Sequence, residues 1–95
     1  MKLFGPTMPR VEKWIAARNV HKLIETLHDG DGALRRRAAE GMADIRSSEV
    51  LEFCKENAQT PDKDIRWHVT QILGLIGTPG AMRILATVHP PKKEK

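Results

Sequence analysis

The chain has 95 residues, 16 Lys and Arg against 12 Asp and Glu, a formal charge of +4 and a single cysteine. That length makes one domain with a continuous but modest core, and one cysteine excludes an internal disulfide and fits a reducing compartment. With no apolar stretch of about 18 residues and no apolar region near the start, neither a membrane span nor a signal peptide is expected, and the cytoplasm is the expected location.

Residues 1–9 carry Gly5, Pro6 and Pro9 and read as an extended leader, with Leu3 and Phe4 available to tuck against the first helix. Thr7 or Met8 precedes Pro9, which suits a first helical turn. The spacing of Val11, Trp14, Ile15 and Arg18 predicts a short helix over about residues 10–18. Asn19 is a good cap, and Val20, Leu23, Ile24 and Leu27 mark the apolar stripe of a second helix. His28-Asp29-Gly30-Asp31-Gly32 is a turn by composition.

A third helix is expected over residues 33–46, with Leu34, Ala38, Met42 and Ile45 on one face. Gly41 in its interior costs about 1 kcal/mol against Ala, which points to close approach of its backbone to a neighbour. Ser47 or Ser48 caps a fourth helix carrying Val50, Leu51, Cys54 and Ala58, and Thr60-Pro61-Asp62 ends it. The fifth, over residues 64–76, presents Ile65, Val69, Leu73 and Ile76 and stops at Gly77. Thr78-Pro79 opens a sixth as cap and first-turn proline, reaching about residue 88. Residues 89–95, with two prolines and three lysines, read as a disordered basic tail.

The stretch from Asp31 to Val88 is written twice. At an offset of 31 residues Asp31 falls on Asp62, Arg35 on Arg66 and Ile45 on Ile76, and most apolar positions coincide. A fixed period of this size marks a stacked repeat. Six helices with one apolar stripe each must bury it against neighbouring pairs, so the fold expected is all-α: an α-α superhelix of about three helix pairs over residues 10–88. The second helix of the first pair starts about one turn late, as in an atypical terminal repeat.

The runs Arg35-x-x-Ala38-Ala39-x-x-Met42-Ala43-x-Ile45 and Ile65-Arg66-x-x-Val69-x-x-x-Leu73-Gly74-x-Ile76-Gly77 resemble the HEAT-like repeats named after phycobilisome lyases. The lead-in through Val11, Glu12, Lys13, Asn19, Val20, Leu23 and Ile24 looks like the opening repeat of small stand-alone members. The resemblance implies a ladder in which Asp31 and Asp62 pair with Arg35 or Arg66 between adjacent repeats. The chain departs from the family at Val69-Thr70, where two alanines are usual, so wider helix spacing is expected in the last repeat.

The chemistry-bearing residues favour binding over catalysis. Cys54 falls in the column of Leu23 and Leu85, so a buried thiol is expected. His21, His28, His68 and His89 lack the three-to-five spacing that aims two imidazoles at one ion, and no phosphate loop, nucleophile elbow or His-Glu step is present. No enzyme, metal or cofactor is expected. Arg36 and Arg37 align with Trp67 and His68, so these four are the candidate protein-binding patch, against the alternatives that the arginines are simply solvated and that Trp67 covers its own helix pair.

An apolar edge made of Ile72, Leu75, Ile84 and Val88 is the candidate for self-association through the C-terminal repeat, because that repeat shows no polar outer face. The leading functional reading is a protein-interaction or assembly module. The alternatives are a nucleic-acid-binding module, through the arginine run and the lysine tail, and an accessory chaperone for cofactor attachment, which rests on the family name alone.

Overall fold

Residues 5–89 are described by the computed structural model. The expected packing of Leu3 and Phe4, and the tail beyond His89, lie outside them. Six helices follow in order: α1 (Met8–Ala16), α2 (Val20–Asp29), α3 (Gly32–Ile45), α4 (Ser48–Glu56), α5 (Lys63–Ile76) and α6 (Pro79–Leu85). Among the described residues there is no strand.

Each helix starts where its cap stands in the sequence. Thr7, Asn19, Asp31, Ser47, Asp62 and Thr78 each accept a backbone N–H from the first turn that follows, satisfying donors that the helix itself leaves unpaired. α1 therefore begins at Met8, ahead of the expected start at residue 10. α6 ends at Leu85, short of residue 88. There the N–H of Thr87 bonds the Ile84 carbonyl and that of Val88 bonds the Leu85 carbonyl, in tightening turns, and the Thr87 hydroxyl donates to the same Ile84 carbonyl at 2.7 Å. The N–H of His89, the first residue of the expected tail, donates to the Ala58 carbonyl at 2.9 Å.

The turn inside each pair is built alike. Arg18, Arg46 and Gly77 adopt left-handed backbone, with φ of 57°, 55° and 67°, and each is followed at once by the cap of the next helix. Only glycine takes that conformation without a penalty, which is about 1–2 kcal/mol for other residues. The Arg46 side chain is exposed, so Arg46→Gly should stabilise the protein by about 0.5–1 kcal/mol, the remainder being offset by the freer unfolded chain. A thermal midpoint that fails to rise would show that this turn is not held in the left-handed form.

The helices pack in consecutive pairs, with α1, α3 and α5 side by side and α4 touching α3, α5 and α6. One cluster runs through all three pairs, with Val11, Leu23, Leu27, Met42, Val50, Val69 and Leu73 fully buried. Gly41 marks the close approach expected of it. A methyl group there would overlap Ile15 Cγ1 and come within 2.6 Å of its Cδ1, so α1 lies against α3 at this glycine.

Two expectations about the last repeat are corrected. Ile72 is fully buried and forms no edge. It stands in the column of Gly41, which faces the preceding pair, so on α5 that column turns inward. The forward-facing column holds Ala39 and Ala43, both buried on α3, and their counterparts on α5 are the exposed Thr70 and Gly74. The departure at Thr70 thus supplies a polar residue at the end of the stack, the treatment a terminal repeat needs.

Candidate functional site

The N-terminal halves of α3 and α5 meet in an open cleft of about 220 Å3, lined by Gly32, Arg35, Arg36, Asp64, Trp67 and His68. Three of the four patch residues come together here: Arg36, Trp67 and His68. Arg36 and Trp67 are exposed, Trp67 by 56 %, and the His68 ring stands edge-on to it at 5.1 Å and 84°. Arg36 makes no hydrogen bond or ion pair with the described residues.

Arg37 belongs elsewhere, which corrects the four-residue patch. It points back along the stack to α1, where Nε lies 2.6 Å from one Glu12 oxygen and an outer nitrogen 3.0 Å from the other, and it also reaches Glu40 at 3.4 Å. The paired guanidinium holds the Glu12 carboxyl below its ordinary 4.5. His68 shares the column of Arg37 and likewise faces backward, 7 % exposed in the seam between α3 and α5. Burial, reinforced by Arg35 and Arg36, holds its pKa below 6.5, against the opposing effects of Gln71, whose Oε1 lies 3.3 Å from Nδ1, and of Asp64.

The sign of both shifts is the same. Around pH 6.5 the unfolded chain binds more protons at His68 than the folded one, so stability is full above that pH and falls below it. Glu12 adds a second loss below about pH 4.5. Unfolding by urea at pH 7.5 and at pH 5.5 should show the lower midpoint at pH 5.5, and His68→Gln should flatten that difference. A difference that persists undiminished would place the titrating group elsewhere.

The expected ladder is also redrawn. Asp31 and Asp62 act as helix caps, and neither pairs with an arginine. Arg35 donates Nε to the Gly30 carbonyl at 2.8 Å and reaches the His28 carbonyl at 3.5 Å, and Arg66 donates to the Thr60 carbonyl at 2.6 Å. The repeated arginine thus ties its own helix to the preceding loop. Its ionic partner across the repeats is Asp64, 3.6 Å from Arg35. A guanidinium has five fixed donors, which is enough for two carbonyls and a carboxylate at once.

The four edge candidates do not share one surface. With Ile72 in the core, Leu75 lies beside Glu40, Asp44 and Gln71 in a groove against α3, Ile84 is half-buried beside Leu51 of α4, and Val88 packs on the core. Cys54 is buried, and burial pushes its pKa up to about 12, so almost no nucleophilic thiolate exists near neutrality. Among the described residues no three His, Cys, Asp or Glu are grouped as a metal would require, and no helix is long and apolar enough to cross a membrane.

Gly32 and Asp64 were not singled out from the sequence. Asp64 did carry a signal, since the preceding repeat has Ala33 in its place.

Repeated helix pairs, a shared left-handed turn and a site formed between equivalent helices define an α-α repeat stack. HEAT repeats match residues 20–91, and the chain belongs to that family. Neither the curated proteins nor the solved structures provide a match. HEAT repeats generally mediate protein binding and are typically non-catalytic.

Proposed function

We propose that this chain is a non-enzymatic protein-docking module whose contact surface is the cleft between α3 and α5. The observation that carries the reading is the pairing of a half-exposed Trp67 with an uncommitted Arg36, two of the side-chain types most enriched where interfaces concentrate their binding energy. Nucleic acid is the weaker reading. Of the run 35–37, Arg35 is bound to carbonyls and Asp64 and Arg37 to Glu12 and Glu40, which leaves one cation for a phosphate chain. The likeness to the phycobilisome-lyase branch brings no lyase or cofactor-attachment role with it, because no residue here matches a catalytic motif.

The test is quantitative capture from the native cell extract by the wild type, Trp67→Ala and Leu75→Glu. A specific partner should be lost with Trp67→Ala and kept with Leu75→Glu. The reverse pattern would move the interface to the Leu75 groove and overturn the assignment.

A further inference from the structure

Resting on the docking reading, we propose that this cleft takes an acidic linear peptide, with one carboxylate paired to Arg36 and the adjacent apolar side chain laid on Trp67. The charges set the count. Two arginines and one aspartate line the cleft, so a single positive charge is left over, and it sits on Arg36, whose guanidinium is unengaged. Arg35 is already engaged by the Gly30 and His28 carbonyls and by Asp64.

Size and surroundings narrow the ligand further. At about 220 Å3 the cleft is smaller than the roughly 300–1,000 Å3 typical of small-molecule pockets, and fits one or two side chains. Trp67 offers an apolar ring face, and the His68 ring held edge-on limits how that ring can turn. Asp31 and Asp62 cap the two helices beside the cleft and Asp64 lies within it. A run of phosphates would find one unengaged guanidinium there, whereas an isolated Glu or Asp next to Leu or Pro needs only one guanidinium and one indole. Arg presents a planar fork matched to a carboxylate.

Nuclear magnetic resonance of the two tryptophan indole N–H signals tests this, with Trp14→Phe identifying which signal is Trp67. The probes are a peptide of about ten residues centred on Pro-Glu-Leu-Glu, the same peptide with Gln for Glu, and an oligothymidylate of similar length. The Glu peptide should shift the Trp67 signal saturably and leave Trp14 in place. Its affinity should drop about tenfold with the Gln peptide and about tenfold with Arg36→Gln, a fold-change typical of losing one charged hydrogen-bonded contact. Arg36 is exposed, so Arg36→Gln should keep the helical dichroism of the wild type.

Equal binding of the two peptides, or indifference to Arg36→Gln, would overturn carboxylate recognition. Tighter, steeply salt-dependent binding of the oligothymidylate would assign the cleft to nucleic acid. Silence from both peptides would overturn the peptide inference and leave the docking reading to stand or fall on the Trp67→Ala capture comparison.

Discussion

Ile72→Ala should lower the unfolding free energy by about 2–5 kcal/mol, a large share of the 5–15 kcal/mol that holds a domain of this kind folded. Ile72 is fully enclosed on α5, so truncation removes buried methyl groups and leaves a cavity that two packed helices cannot easily close. Leu75→Ala, three residues on and 54 % exposed, should change stability by no more than about 0.5 kcal/mol. Urea denaturation of the two variants checks both. Comparable losses would mean that the rotation of α5 about its axis is wrong, and with it the placement of Trp67.

Gly41→Val should cost about 1–3 kcal/mol or more by overpacking. Even the first carbon of a side chain at this position meets Ile15 Cγ1 and Cδ1, with Ile15 Cγ2 only 3.2 Å away, so rotating the isoleucine does not clear the space. Ile15→Ala should recover much of the loss, giving a favourable coupling in a double-mutant cycle. Gly74→Ala is the contrasting case. It too is a helix-interior glycine, but nothing lies within 4 Å of the added methyl, and the gain in helix propensity should stabilise by up to about 1 kcal/mol. If Gly41→Val and Gly74→Ala act alike, α1 does not approach α3 as described.

The contrast between those glycines also shows what the sequence could and could not convey. The 31-residue period, the caps at Asn19, Ser47 and Thr78, and the close approach at Gly41 were legible, because each is a local choice of residue with a local physical reason. Equivalence of columns was legible too, but not which neighbour a column faces. Ile72 was therefore assigned to a free edge although its column faces backward. For the same reason the spacing groups Arg37 with Arg36, Trp67 and His68, whereas its side chain reaches Glu12 on α1. The Arg37–Glu12 pair spans 25 residues, outside the period, because the first pair is shorter than the others. The carbonyl partners of Arg35 and Arg66 were hidden for another reason: a backbone oxygen leaves no mark in the sequence.

Photocrosslinking tests the central claim, docking at the α3–α5 cleft, most directly. A benzophenone side chain is placed at position 63, at the exposed Lys63 one turn before Trp67 on α5, in one preparation and at position 82, at the exposed Met82 of α6, in another. Each is irradiated in native extract. One specific protein adduct is expected from position 63, suppressed by Arg36→Gln, and none from position 82. An adduct from position 82 alone would contradict it and place the interface at the end of the stack.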